Sequence, residues 1–182
     1  MGKLVTGLHN LYRSVDRNQW QNNLSRGCMA MLMLLFYAGN DLYAIESSRV
    51  VEVIPRVALR KIHHVPEYVA GLFNYRGAIV PVIDLCHLIQ GTPSRSHLST
   101  RIIMVSYPRK DQTLQYVGLM AERVTETLNK PDHELIDSEI QMHEAPYLGG
   151  MIMDEKGMIQ RIRLEQLFAD SRHMHLLTGG EP

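Results

Sequence analysis

Short apolar runs separated by turn-forming residues dominate the chain from Met29 onward. Runs of this length that are rich in Val and Ile, and bounded by Gly, Pro, Asn or Asp, are typical of β-strands. The predicted strands lie at residues 31–37, 42–45, 50–54, 71–74, 78–83, 102–107, 114–120, 147–153 and 157–162.

Turns and helices can be placed between these runs. Gly39, Asn40 and Asp41 separate the first two and predict a hairpin, because Gly and Asn tolerate positive φ. Pro81 lacks a backbone N–H, so its strand is predicted to lie at a sheet edge or to carry a bulge. The spacing of Leu164, Leu167 and Phe168 predicts one short closing helix.

An internal repeat indicates how the strands are organised. Residues 44–54 align without gaps on residues 118–128, and each segment reads as a strand, a polar turn, Arg-Val and a second strand. The following segments correspond as well, which gives two copies of a unit of about five short strands. The repeat therefore predicts an all-β fold of two small barrels with little helix, in subdomains at about residues 40–90 and 100–168; chance similarity in a Val-rich sequence is the alternative.

Strand alternation predicts which side chains are buried. In residues 50–53, Val50 and Glu52 are expected to face one way, while Val51 and Val53 face the core. The residues expected to be largely buried are Ile45, Val51, Val53, Leu72, Ile79, Val82, Ile83, Leu119, Val124 and Ile159.

The two ends of the chain are more polar than its centre. Residues 1–28 are rich in Asn, Gln and Arg and contain several glycines, so they are expected to form a poorly ordered, dispensable extension. The predicted folded domain spans residues 29–170, and residues 171–182 are predicted to be a tail.

Charge and cysteine content narrow the function classes. Lys+Arg and Asp+Glu both number 19, so no bulk charge attracts nucleic acid, and none is expected as a partner. Two cysteines, Cys28 and Cys86, are too few for a disulfide framework and fit a reducing cytoplasm. The longest apolar run, residues 29–38, is about half the length that a membrane-spanning helix needs, so no direct membrane insertion is expected.

No catalytic motif or metal-binding spacing is present. His63-His64 and Cys86-His87 are adjacent pairs whose side chains diverge on a strand. Asp154 and Glu155 read as turn formers. A phosphate-binding loop and a nucleophile-elbow motif are both absent from the sequence. We therefore predict that the protein is not an enzyme and uses no cofactor and no metal.

Three segments together carry a family resemblance. They are residues 43–54, the run from Val65 to Leu85 that contains Asn-Tyr-Arg-Gly and then Pro-Val-Ile-Asp-Leu, and residues 117–124. From about Met33 to Phe168 the chain resembles the CheW-like family of chemotaxis coupling proteins. This resemblance implies a CheW-like fold of two intertwined five-stranded SH3-like β-barrels. It also implies a cytoplasmic, non-catalytic scaffold in two-component signalling, which joins methyl-accepting receptors to a CheA-type histidine kinase at receptor clusters on the inner face of the membrane.

The resemblance also implies a receptor-binding or partner-binding surface. Its residues would be Val50, Glu52, Val53, Asn74, Arg76 and Gly77. The residue types agree: Asn and Gly suit a tight turn, and a guanidinium at its tip can bind a carboxylate or carbonyl in paired geometry. Two alternatives remain open from the residues alone, namely an arginine paired within the chain to Glu52 or Glu67, and a core strand with one solvated Glu.

Three features of the sequence depart from the family pattern. Tyr75 stands where an aliphatic residue is usual, Glu122 replaces a commoner Asp, and Cys86-His87 replaces a more frequent basic residue. Neither Tyr75 nor Glu122 is expected to break the fold. Tyr75 is expected to alter which receptor is recognised, and Cys86-His87 to alter local partner contacts. The alternative function is a small-barrel protein-binding module of another signalling or motility pathway, with no link to a kinase.

Overall fold

The computed structural model describes residues 30–108, 113–131 and 145–169, and within them β-strand is the main secondary structure. The predicted extension at residues 1–28 and the tail at residues 171–182 lie outside the described residues. The elements are β1 (Ala30–Ala38), β2 (Asp41–Glu46), a 3-10 turn (Ser47–Arg49), β3 (Val50–Pro55), β4 (Val69–Tyr75), β5 (Ala78–Asp84), α1 (Leu85–Gln90), β6 (Arg101–Pro108), β7 (Leu114–Ala121), β8 (Thr127–Pro131), β9 (Leu148–Asp154), β10 (Gly157–Ile162) and α2 (Leu164–Ala169). The all-β prediction with small helical content is confirmed, as is the short closing helix.

The strands form two five-stranded sheets with the same internal arrangement. The first has the order β8-β1-β2-β10-β9 and the second β3-β6-β7-β5-β4. Each strand of β1–β5 has its counterpart five strands later, so β1 corresponds to β6 and β5 to β10. When every strand is exchanged for its counterpart, the order of the first sheet becomes the order of the second. The internal repeat is thus a structural repeat.

The two sheets do not correspond to two consecutive halves of the chain. Each half contributes its first two strands to one sheet and its last three strands to the other. The predicted division into subdomains at about 40–90 and 100–168 is therefore wrong. The physical reason lies in two connections, the 3-10 turn after β2 and the segment between β7 and β8, which carry the chain from one sheet to the other instead of reversing it into a hairpin.

The second sheet is closed by the chain that follows β3. The backbone N–H of Arg60 donates to the carbonyl of Leu72, and the N–H of Leu72 donates to the carbonyl of Arg60, each over 2.8 Å. This bridge joins the segment that follows β3 to the outer strand β4. Pro81 lies in β5, an interior strand, so the edge alternative of the prediction is wrong. As to the bulge alternative, the β4–β5 pairing has a register shift, which lies between Val69 and Gly71 of β4. The pairing of β5 with β7 begins only at Val82, which leaves the missing N–H outside that ladder.

Three apolar clusters hold the molecule together. One cluster fills the first sheet, another fills the second, and the largest lies between the two sheets. In β1, Met33 and Leu35 belong to the first-sheet cluster, whereas Leu34 and Phe36 belong to the cluster between the sheets. Strands buried on both faces explain why the sequence reads as continuous apolar runs without a strict polar alternation.

The burial predictions are mostly confirmed, with two errors. Buried residues are Ile45, Val82, Ile83, Leu119 and Ile159, and half-buried ones are Val53, Leu72 and Val124. Val51 and Ile79 are 40% and 65% exposed, so their predicted burial is wrong. A register shift between Val50 and Glu52 turns Val51 outward, and Ile79 lies at the start of β5, before the segment that β7 covers.

Candidate functional site

The hairpin between β4 and β5 presents Arg76 at its tip. Its loop consists of Arg76 and Gly77, whose φ angles are +52° and +91°. Positive φ at both positions is the signature of the type I′ turn, which matches the twist of paired strands. The Asn74 Oδ1 accepts a hydrogen bond from the Gly77 N–H over 2.8 Å. Asn74 and Gly77 therefore shape the turn, and the backbone under Arg76 is fixed.

Arg76 is paired within the chain and still faces solvent. Its Nη2 donates to Glu52 Oε2 over 2.8 Å, so of the alternatives left open by the sequence, the pair with Glu52 forms. Glu67 instead lies 3.5 Å from His87 Nε2. The Arg76 side chain is 67% exposed, against 22% for Glu52. The guanidinium thus keeps donors free for another molecule while Glu52 orients it.

The aromatic ring of Tyr75 contacts the same guanidinium. The Arg76 Cζ lies 5.0 Å from the centre of the Tyr75 ring, within the range of a cation–π contact. The ring is buried and packs edge-on against Tyr116, with the ring centres 5.6 Å apart. Burial first, and then the neighbouring Glu52 carboxylate, raise the pKa of Tyr75 to about 12. The departure from an aliphatic residue therefore places an uncharged aromatic platform under Arg76.

Strand β3 provides the other predicted site residues. Val50 and Val53 are half-buried and pack against the cluster between the sheets. Val51 is the exposed valine, so the predicted alternation with Val50 outward and Val51 inward is wrong. Glu52 of this strand contacts the hairpin tip through its ion pair with Arg76. The structure thus brings Glu52, Asn74, Arg76 and Gly77 together and leaves Val50 and Val53 behind them.

Sequence reasoning missed an exposed apolar residue beside the tip. Ile79 is the cross-strand partner of Asn74, and it is 65% exposed. Alternation placed it on the same face of β5 as Ile83, which is buried between the sheets. The exposure of Ile79 could have been inferred from its position two residues after Gly77. Near its tip the hairpin extends past β7, which pairs with β5 only from Val82 onward. Ile79 therefore adds apolar surface next to a charged pair.

A buried polar network anchors the loop before β6. Asp84 caps α1 through the His87 N–H and accepts hydrogen bonds from the Ser94 N–H and Oγ over 2.9 and 2.6 Å. Glu122 is 2% exposed and accepts hydrogen bonds from Nε and Nη2 of Arg95 over 3.2 and 3.0 Å. Burial alone would raise the pKa of Glu122, but the hydrogen bonds and charge of Arg95 outweigh it and lower that pKa. Glu122 is therefore a structural carboxylate.

Cys86 and the side-chain types that could bind a metal also occur in the described part. Cys86 is 2% exposed, and burial raises the pKa of its thiol, which disfavours the nucleophilic thiolate. Within residues 30–108, 113–131 and 145–169 no three His, Cys, Asp or Glu side chains are grouped as metal ligands. Over the same ranges, no helix has the length and apolar character needed to cross a bilayer.

Comparisons with known proteins give the family. The family model described as "CheW-like domain" matches residues 32–172. The chain is 28% identical over 142 residues to a probable chemotaxis protein CheW of Rhizobium etli, covering 76% of this chain and 88% of that protein. It is 23% identical over 141 residues to the chemotaxis protein CheW of Rhizobium meliloti, covering 75% and 86%.

A solved structure agrees in fold. The crystal structure of the scaffolding protein TtCheW from Thermoanaerobacter tengcongensis superposes with a TM-score of 0.69 at 26% identity, over 82% of this chain and 94% of that one. The two-sheet fold, the hairpin with Arg76 at its tip and the match over residues 32–172 lead to one conclusion: the chain belongs to the CheW-like domain family.

Proposed function

We propose that this protein is a non-catalytic adaptor that couples a methyl-accepting receptor to a CheA-type histidine kinase. The coarser part, a chemotaxis scaffold role, rests on family membership and on relatives named as chemotaxis and scaffolding proteins. The finer part rests on one observation. Arg76 stands at a rigid turn, 67% exposed, and is oriented by Glu52.

The geometry suits recognition of a partner surface. A guanidinium whose position is fixed by the turn, Tyr75 and Glu52 loses little freedom when a carboxylate or carbonyl binds its free donors. Ile79 and Val51 supply exposed apolar area of the kind that partner helices cover. The centre of the proposed receptor surface is therefore Glu52, Asn74, Arg76 and Gly77, with the exposed Val51 and Ile79 added to it. The other two predicted members, Val50 and Val53, are half-buried and support this surface from the core side.

A coupling role places a second requirement on the molecule. An adaptor that bridges two partners has to hold both at once, so the kinase surface must be separate from the Arg76 surface. Signalling then proceeds because each partner binds one arrangement of the complex better than another. We place the protein in the cytoplasm, at receptor clusters on the inner face of the membrane.

The test is binding by Arg76→Ala, measured against a receptor cytoplasmic fragment and a kinase fragment in parallel. Because the Arg76 side chain is 67% exposed, solvent screens its pair with Glu52, and loss of the pair should change the free energy of unfolding by less than about 1 kcal/mol. Loss of a central interface guanidinium should weaken receptor binding by about 2 kcal/mol, or roughly thirtyfold. Kinase binding should be unchanged.

Two further variants sharpen this test. Arg76→Lys keeps the positive charge but loses the planar, forked guanidinium. Its affinity for the receptor fragment should therefore lie between those of the wild type and Arg76→Ala. Arg163→Ala removes another exposed arginine, which donates to the carbonyl of Leu148, and should leave receptor binding unchanged. An unfolded Arg76→Ala protein would show that Arg76 is structural. Equal losses toward receptor and kinase would contradict separate surfaces.

A further inference from the structure

A groove opens at one end of the second sheet, apart from the Arg76 turn. It has a volume of about 650 Å³ and lies between residues 55–61, which follow β3, and residues 96–101, which precede β6. Leu59, Ala70 and Met120 line it and also belong to, or pack against, the apolar cluster inside that sheet. The groove therefore gives access to the edge of an apolar core.

The rim of this groove is basic, although the whole chain is neutral. Arg56, Lys61 and Arg101 line it, and Arg60 lies in the same segment. Residues 55–66 and 91–101 contain no Asp and no Glu. Since Lys+Arg and Asp+Glu both number 19 over the chain, this is a local concentration of positive charge.

These cations have no acidic partner in the described part of the chain. Arg56 donates to Ser96 Oγ, and Arg101 donates to the carbonyls of Leu98 and Thr100. Arg95, just outside the groove, is the cation of these two segments that pairs with a carboxylate, Glu122. Neutral hydrogen bonds orient Arg56 and Arg101 and leave their charge uncompensated.

The groove is held open by the buried network described above. Asp84 fixes Ser94, and Glu122 fixes Arg95 at both its backbone N–H and its guanidinium. The Thr100 hydroxyl donates to the Arg95 carbonyl over 2.6 Å. Two buried carboxylates thus fix the loop that carries the groove's second wall. At the rim of that wall Leu98 is 97% exposed, an apolar side chain with no cover.

From this charge pattern we propose that the groove binds an acidic segment of a partner protein, with an apolar side chain inserted toward Leu59 and Met120. Glu or Asp side chains of that segment pair with Arg56, Lys61 and Arg101 at the rim. A polypeptide is favoured over a lipid surface because the site is concave and its apolar floor lies inside the barrel, where a planar membrane does not reach. The volume fits a few side chains.

The test uses a fluorescently labelled peptide of glutamates around a central Leu pair, with the full-length protein labelled for amide NMR. We expect shifts confined to residues 55–61 and 96–101 and to the floor around Ala70 and Met120, and binding that weakens as salt is added. Arg56→Glu combined with Lys61→Glu should lower the affinity at least about tenfold, because both changes turn attraction into repulsion. A peptide with Ala in place of Leu should bind more weakly.

The matched control is Lys156→Glu combined with Arg163→Glu, which makes the same change in net charge beside the first sheet. It should change the affinity less than about twofold, and thermal unfolding should show both double variants folded. Equal losses in the two double variants, or amide shifts outside the groove, would overturn the proposal. Preferential binding to phosphatidylglycerol vesicles would assign the basic rim to a membrane and overturn it as well.

Discussion

At the scale of single residues, Glu122 shows how a departure from a family pattern is accommodated. The side chain is 2% exposed, and an isolated carboxylate at such a position would become protonated. Arg95 keeps it ionised by donating from its backbone and its guanidinium. The longer Glu side chain is thereby tied to the loop before β6, which carries one wall of the basic groove.

The lowered pKa of Glu122 makes this contribution dependent on pH. Stability from the ionised carboxylate is present above the ordinary Glu pKa of 4.5 and is lost as the pH falls through the lower pKa of the folded state. Glu122→Gln should therefore lower the free energy of unfolding by about 1 kcal/mol at pH 7, a modest value because Arg95 is 58% exposed and partly screened by solvent. As the pH falls toward 3, the difference between the two proteins should become smaller.

Urea denaturation at the two pH values measures this difference, and Glu155→Gln provides the control. Glu155 is an exposed carboxylate in the turn between β9 and β10, so its replacement should change the unfolding free energy little at either pH. A Glu122→Gln difference that is the same at pH 3 and pH 7 would show that the charge of Glu122 contributes nothing.

At the scale of elements, β7 illustrates what the repeated unit requires. Gly118 occupies the position that Ala44 has in the first copy, and its backbone pairs with Val82 of β5. A Cβ added at Gly118 would lie 2.8 Å from Ile102 Cγ2 and 3.1 Å from Val82 Cγ2. The side chains of Ile102 and Val82 therefore fill the space that a side chain at position 118 would need.

Gly118→Ala should accordingly destabilise the protein by about 1–3 kcal/mol, because β-branched Ile102 cannot rotate its methyl group away. Ile102→Leu removes that methyl group, since Leu branches one carbon further out. In the Ile102→Leu background the added cost of Gly118→Ala should be clearly smaller, as measured by urea denaturation in a double-mutant cycle. An equal cost in both backgrounds would mean that crowding by Ile102 is not the cause.

The same scale shows what sequence patterns can and cannot predict. The hairpin around Arg76 was predictable because Asn74 and Gly77 determine its turn locally, and the repeat was predictable because equivalent turns recur in order. The orientation of Val51 depends on a register shift against β6, and the exposure of Ile79 depends on where β7 stops covering β5. The orientation of Val51 and the exposure of Ile79 are thus set by contacts between strands that are distant in sequence. The pattern of residues within a single strand carries no information about such contacts.

At the scale of the whole molecule, the exchange of strands makes each sheet depend on both halves of the chain. The first sheet takes β1 and β2 from one half and β8, β9 and β10 from the other. The cluster between the sheets draws on both sheets, with Phe36 and Ile45 from the first and Ile103 and Leu119 from the second. Arg123 adds a link where the chain crosses over, since its guanidinium lies 4.0 Å from the Tyr37 ring centre and donates to the Gly39 carbonyl.

We therefore predict that the two sheets unfold as one cooperative unit. Ile159→Ala empties part of the first-sheet cluster and Met104→Ala part of the second-sheet cluster; both side chains are 0% exposed, so each change should cost about 2–4 kcal/mol. Native-state hydrogen exchange should show each variant lowering the protection of the most stable amides in β4–β5 and in β9–β10 by the same free energy. The control is Met158→Ala in β10, where the side chain is 56% exposed. This change should leave the protection of the amides in β4–β5 and in β9–β10 unaltered. If Ile159→Ala lowers protection in β9–β10 alone, the sheets are energetically independent, and strand exchange couples their topology without coupling their stability.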